Sequence, residues 1–211
     1  GNTRSLISFG TAICGGSAIA AMAPVIKAKD DEIAVSLATV FALNAIGLLL
    51  FPPLGHLLGL SQQQFGLWAA LAIHDTSSVV GAAAAYGALA LTVGTTAKLT
   101  RALWIVPCSV AAGIYHKSDK RAGVPLFIIG FIAAAMLNSA LDAYAPLWSS
   151  LQGVAKQVLV MTLFLIGTGL TRQTLRQAGL KPLLFAVLLW LCVGSGTLLL
   201  LHYFPQISAS L

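Results

Sequence analysis

Two polar interruptions inside otherwise apolar stretches hold the side chains best suited to chemistry. The first reads Thr11-Ala12-Ile13-Cys14-Gly15-Gly16-Ser17-Ala18, with Pro24 further on. Adjacent glycines let a helix unwind. A half-helix restarting near Ser17 would turn free N–H groups and a positive dipole end toward the middle of the stretch. That end suits an anion, which makes Cys14, Gly15, Gly16 and Ser17 candidate substrate-binding residues. The alternative is a small-residue face for close helix packing, although such faces space their small residues by four and not in a run.

The second interruption reads Ile73-His74-Asp75-Thr76-Ser77-Ser78-Val79-Val80-Gly81. An ionisable pair beside three hydroxyls is costly at the depth of a lipid bilayer and marks a functional site there by default. Asp75 could exchange a proton or help to hold a cation. His74 could share the task, because an imidazole changes charge near neutral pH. His74 and Asp75 are therefore expected to couple transport to an ion, with Thr76 and Ser77 beside the substrate. The plainer alternative is a buried polar knot that ties helices together. Lys98 and Arg101 lie one helical turn apart on one face. They act either as anchors snorkelling to headgroups or as inward cations that balance a bound anion.

The elements that must position these residues follow from composition. The chain has 211 residues, 58% hydrophobic and 9% charged, with a mean hydropathy of +0.90. A water-soluble fold of this size needs a charged surface, and 12 basic and 6 acidic side chains do not make one. The net charge of +6 gathers in short joints between apolar runs, a pattern that sets membrane topology and does not indicate nucleic acid. Cys14, Cys108 and Cys192 each sit inside an apolar run, without disulfide or zinc spacing. No metal and no cofactor is expected.

A bilayer core about 30 Å thick needs about 20 apolar residues in a helix, and the chain divides into about seven such spans. They cover about 5–26, 32–52, 64–88, 98–116, 123–142, 153–171 and 181–203. The expected fold is a single all-α polytopic transmembrane domain over residues 1–211. Pro52 and Pro53 are expected to end the second span, leaving Gly55 and His56 in a loop. Asn44 and Asn138 are single amides expected to bond across helices, worth about 1 kcal/mol each.

The joint His116-Lys117-Ser118-Asp119-Lys120-Arg121 and the joint holding Arg172, Arg176 and Lys181 should be cytoplasmic. The joint carrying Asp142, Tyr144-Ala145-Pro146-Leu147-Trp148 and Lys156 suits the outer face. One crossing per span then places Arg4 inside, Lys27-Ala28-Lys29-Asp30-Asp31-Glu32 outside, and the C-terminal His202 and Tyr203 outside. A re-entrant third span would change this count. In the sixth span Gly167-Thr168-Gly169 is a second possible unwinding, which would pair with the first span as the antiparallel partner of an inverted repeat.

GTAICGGSAIAA (Gly10 to Ala21), FGLWAALAIHDTSSVVGAA (Phe65 to Ala83) and AKLTR (Ala97 to Arg101) resemble the YeiH-like family of bacterial inner-membrane proteins, described as sulfate exporters. The likeness runs over nearly all of the chain. It implies about three further helices upstream and a ten-helix fold of two inverted five-helix repeats, in which the first and sixth spans here are the broken helices that cross. It also implies an inner-membrane location, an anion such as sulfate or a sulfonate as substrate, a possible homodimer, and a functional role for Lys98 and Arg101.

A secondary transporter of a small anion is thus the expected function, driven by protons or another ion, since no G-x-x-x-x-G-K-[ST] loop is present. The competing classes are a membrane scaffold or partner subunit without transport, and an intramembrane serine hydrolase with Ser17 as nucleophile and His74 as base. Ala18 stands where the hydrolase motif has its last glycine. The expectation is a non-enzyme whose partners are the lipid bilayer and the anion.

Overall fold

The architecture is that of a computed structural model that describes residues 1–116 and 179–204, with isolated helical positions between 129 and 161. The regular structure of the continuous described stretches is entirely helical: α1 (Asn2–Ala12), α2 (Gly16–Met22), α3 (Asp30–Leu57), α4 (Gln62–Ala72), α5 (Thr76–Tyr86), α6 (Ala88–Ala102), α7 (Ile105–Tyr115) and α8 (Leu180–Tyr203). Among the described residues three stretches are long and apolar enough to cross a membrane: Asp30–Leu57, Ala88–Tyr115 and Leu180–Tyr203. Their outward faces carry Leu49, Ile114, Leu188 and Leu199, all exposed, which suits contact with lipid.

The helix α3 starts where sequence chemistry favours it. Asp30, Asp31 and Glu32 occupy its first turn, against the positive end of the dipole, and Glu32 accepts from the Lys29 N–H at 3.0 Å. Pro52 and Pro53 do not end it, contrary to expectation. The helix continues through both prolines to Leu57. Proline is tolerated inside a membrane helix because neighbouring helices re-satisfy the freed backbone. Here a tight contact occupies the far end, where a β-carbon on Gly55 would stand 2.5 Å from the Phe65 ring. His56 is therefore in the last helical turn, exposed and stacked on Tyr86 at 4.2 Å.

The first and third expected spans are not continuous rods. Each is a helical hairpin whose two arms return to the same end of α3. In the first, Asn2 on α1 donates to Glu32 at 3.1 Å, and Ser36 reaches the Thr3 carbonyl at 3.4 Å. Gly16, where α2 begins, faces Phe41 and Leu37, whereas Met22 and Ile26 pack in one cluster with Ile33 and Leu37. α1 thus runs along α3 in the same direction, and α2 comes back against it. The expectation that this span crosses, with Arg4 and Lys27 on opposite sides, is overturned.

The second hairpin hangs from the other end of α3. Ser61 caps α4 by accepting from the Gln64 N–H at 3.2 Å. Tyr86, at the end of α5, donates to the Leu60 carbonyl at 2.6 Å, and the Gln62 side chain accepts from the Leu89 N–H at 3.0 Å. Phe51 stacks on Trp68 at 4.2 Å, Gly47 lies against Ile73, and Asn44 bonds to Asp75. From its foot near Leu57 the hairpin therefore reaches its tip beside Asn44, midway along α3. The re-entrant alternative for this span is what the structure contains.

The helices α6 and α7 run back the other way. Gly66 allows α6 to press on α4, since a β-carbon there would stand 2.8 Å from the Ala90 carbonyl. α6 begins at Ala88, ten residues before the span expected from position 98. Its threonines stay helical by donating to the carbonyl four residues back, Thr92 to Ala88 and Thr100 to Thr96. α7 ends with Gly113 against Val25, at the foot of the first hairpin. α8 runs parallel to α3 and is fixed by Trp68, which donates to the Gly194 carbonyl at 3.1 Å.

Arg4, Lys27, Lys29 and Lys181 all lie at the end of the bundle that holds the foot of the first hairpin. The other end, with Gly59, Ser61 and His202, carries no described Lys or Arg. Arg4 and the Lys27 to Glu32 segment, expected on opposite sides, thus share one end of the bundle, and His202 lies at the other. The spans expected over 123–142 and 153–171, with Asn138 and Gly167-Thr168-Gly169, lie outside the continuous described residues. So do the joint residues Lys117, Asp119, Lys120, Arg121, Asp142, Lys156, Arg172 and Arg176.

Candidate functional site

The two hairpin tips meet at the middle of α3. Gly15 adopts φ 68° and ψ −124° between α1 and α2, a backbone conformation that favours glycine. Its Cα faces the peptide joining His74 to Asp75, and a β-carbon there would lie 3.2 Å from the His74 carbonyl carbon. Cys14 is buried beside Gly15 in a cluster with Ala102 and Ile105, where α6 passes into α7. Gly16 and Ser17 form the first turn of α2 and Thr76 and Ser77 that of α5, all four half-buried.

Hydrogen bonds lock the contact. His74 is 1% exposed, and its Nε2 lies 3.0 Å from Thr11 Oγ1. Thr11 in turn donates its proton to the Ile7 carbonyl at 2.8 Å. The ring of His74 is engaged with Thr11, not with Ser17. Asp75 caps α5: its Oδ2 accepts from the N–H groups of Ser77 at 3.1 Å and Ser78 at 3.4 Å, and from the Ser77 hydroxyl. Its own N–H goes to Oδ1 of Asn44 at 3.1 Å, so α3 holds the second tip through one amide.

Lys98 and Arg101 face inward at the last turns of α6. Lys98 is fully buried and donates to the carbonyls of Ile73 at 2.7 Å and Ala70 at 3.3 Å. Arg101 donates from Nε to Ala12 at 2.6 Å, from one terminal nitrogen to Leu71 at 2.7 Å and Ala70 at 3.4 Å, and from the other to Thr11 at 3.0 Å. Neither snorkels. Lys98 binds the carbonyl end of the half-helix α4, and Arg101 binds the carbonyl ends of both α1 and α4, where the helix dipole is negative. An ammonium has three N–H groups and a guanidinium five, so each cation keeps one N–H for a further partner.

Charge at the tips does not cancel. Lys98 and Arg101 bring two positive charges, and no described carboxylate pairs with either. The ends of α1 and α4 answer with about half a negative charge each, while the starts of α2 and α5 add about half a positive charge each. Asp75 supplies one negative charge. Two basic side chains against one carboxylate leave a surplus of basic groups in a region shielded from water. Beside it, a cavity of about 600 Å³ is lined by Ala12, Leu71, Thr96, Thr100, Arg101 and Trp104, and so reaches the charged turn from the side.

Thr11 carries a site role that its sequence context did not signal, and Asn44 proved more than a generic interhelical amide. A signal for the pairing exists in the sequence. Ala12-Ile13 followed by Ser17 recurs as Ala72-Ile73 followed by Ser77, 60 positions on, and α1 and α4 begin and end at that same offset. Among the described residues no group of His, Cys, Asp and Glu is arranged to hold a metal.

Residues 1–186 match a family model described as Conserved hypothetical protein 698. The chain is 60% identical over 200 residues to a UPF0324 membrane protein of Geobacter sulfurreducens, covering 95% of this chain and 64% of that protein. It is 54% identical over 197 residues to one of Photobacterium profundum, covering 93% and 60%. It is also 54% identical over 204 residues to one of Bdellovibrio bacteriovorus, covering 93% and 63%. The chain therefore spans less than two thirds of the length of these relatives. No solved structure matches it.

Proposed function

This chain belongs to the UPF0324 membrane protein family, the YeiH-like group that its motifs resemble, and we propose that it forms the core of a secondary transporter for a small anion. The observation that carries this reading is the meeting of two hairpin tips, Gly15 on His74–Asp75, at the middle of a membrane-length helix. Non-helical backbone at that depth is tolerated only inside protein or around a polar cavity, and transporters use such half-helix ends to hold substrates and ions.

The positive surplus selects an anion, and the spare N–H groups of Lys98 and Arg101 are its donors. The units α1–α3 and α4–α7 hang from opposite ends of the bundle at a 60-residue offset, which we take as an inverted repeat of hairpin followed by crossing helix. This repeat pairs the first expected span with the third, not with the sixth. In alternating access each hairpin serves as the gate for its own side, and the anion lies between the tips, near Gly15, Ser17, Thr76 and Ser77. Asp75 is the coupling group. A proton on its carboxylate would raise the positive surplus by one charge and favour an incoming anion, so proton and anion would bind together. The protein works as a multi-pass protein of the bacterial inner membrane, with the further length of its relatives completing the machine.

The test is flux of radiolabelled sulfate, a sulfonate, nitrate and bicarbonate into proteoliposomes, with and without a pH gradient, for wild type and Asp75→Asn. Gradient-driven flux of at least one anion, uncoupled in the variant, is the expected result. Folded protein that moves none of these anions, in this chain and in a full-length relative, would leave the scaffold reading in its place.

A further inference from the structure

The tip junction contains two buried polar atoms that no group of the protein satisfies: Nδ1 of His74 and Nδ2 of Asn44. The two side chains flank one peptide, since Asn44 Oδ1 is bonded to the Asp75 N–H that follows His74. Their chemistry can be assigned. The Thr11 proton is spent on the Ile7 carbonyl, so Thr11 Oγ1 faces His74 as an acceptor and Nε2 must carry the ring proton. In the neutral ring Nδ1 is then a bare lone pair. Asn44 uses its carbonyl oxygen on Asp75, which leaves an NH2 group as the orphan donor. One acceptor and one donor, 1% and 3% exposed, thus lack partners at the point where the hairpins meet. A buried polar group left unpaired is costly, and such a pair of vacant valences calls for a molecule that both donates and accepts.

Resting on the transport reading, we propose that the junction recognises a monovalent oxyanion that retains one proton, as bicarbonate and hydrogen sulfite do. Its O–H donates to Nδ1 of His74, one of its oxygens accepts from Nδ2 of Asn44, and its single charge meets the surplus left by Lys98 and Arg101. Asp75 and Cys14 are the other titratable groups at the tips, and α3 contributes no charge at this level. An anion without a hydrogen leaves the lone pair of His74 facing an oxygen lone pair. A fully deprotonated dianion does so with a second negative charge that the surplus does not match.

Binding can be measured without transport, by calorimetry on the purified 211-residue chain in detergent at mildly alkaline pH. Sodium bicarbonate, sodium nitrate and sodium sulfate are compared at equal ionic strength. Bicarbonate and nitrate share size, planarity and charge and differ in the O–H. Wild type should bind bicarbonate about tenfold or more tightly than nitrate, because a site built for a hydroxyl rejects the analogue that lacks one. His74→Gln keeps a donor toward Thr11 and lacks the Nδ1 acceptor, so the preference should vanish. His74→Asn sets a carbonyl oxygen near the Nδ1 position and should retain part of it. Equal affinity for bicarbonate and nitrate, tightest binding of sulfate, or no binding of any of the three by wild type overturns the proposal. Flux of nitrate or sulfate without this discrimination would sink the substrate class and leave the transporter standing. Discrimination without flux would do the reverse.

Discussion

Gly15 and His74 meet backbone to backbone: a β-carbon on Gly15 would stand 3.2 Å from the His74 carbonyl carbon and 3.3 Å from its oxygen. Two hairpins that hang from opposite ends of α3 are joined at this point.

Gly15→Ala should therefore damage both stability and function. The residue sits at φ 68°, where a side chain is strained whatever space it has, and here the neighbouring atoms are backbone that cannot rotate away. The expected cost is about 1–3 kcal/mol, read as a lower midpoint in thermal unfolding followed by the fluorescence of Trp68 and Trp190. Gly59→Ala is the comparison. It has a similar positive φ with nothing within 4 Å, so it carries the strain without the collision and should lose less.

Arg101 is predicted to hold the fold of the junction as well as its charge. Arg101→Met would strip partners from the carbonyls of Thr11, Ala12 and Leu71 at once and should destabilise by about 3 kcal/mol or more. Arg101→Lys restores the charge but cannot reach two helix ends with one ammonium, so it should recover a minor part of the loss. Full recovery by lysine would mean that charge alone matters here and that the forked bonding does not.

The sequence made the membrane class, the two chemical clusters and the break at Gly15 legible, because each has a local cause: hydropathy, buried ionisable side chains, adjacent glycines. It did not make the hairpins legible. A window of apolar residues looks alike whether the chain crosses or turns back, and Ile13-Cys14-Gly15 or Ile73-His74-Asp75 are too short to lower the average. What decides the matter is pairing across the fold, Asn2 with Glu32 and Tyr86 with Leu60. Lys98 shows the same limit: its position near a helix end left both a headgroup anchor and an inward cation open, and what decides for the inward one is its partners, carbonyls 25 and 28 residues away.

Topology offers a prediction that separates the hairpin from a crossing span. On a background with Cys14, Cys108 and Cys192 replaced, single cysteines at Ser5, Lys27 and Gly59 would be treated with an impermeant maleimide. Ser5→Cys and Lys27→Cys should react from the same, cytoplasmic, face of the membrane and Gly59→Cys from the other. Labelling of Ser5→Cys and Lys27→Cys from opposite faces would restore a first span that crosses and would undo the tip-to-tip arrangement.

The last prediction divides the two roles of Asp75. As the cap of α5 the carboxylate needs only an oxygen that accepts from Ser77 and Ser78, and asparagine caps helices as well as aspartate does. Asp75→Asn should therefore unfold within about 0.5 kcal/mol of wild type, while Asp75→Ala should lose about 1 kcal/mol or somewhat more. In flux measurements the order changes. Asparagine cannot take up a proton, so Asp75→Asn should lose the dependence on a pH gradient as fully as Asp75→Ala does. If Asp75→Asn kept gradient-driven flux while Asp75→Ala lost it in step with its stability, Asp75 would be a capping residue only, and the coupling proton would have to be sought elsewhere at the tips.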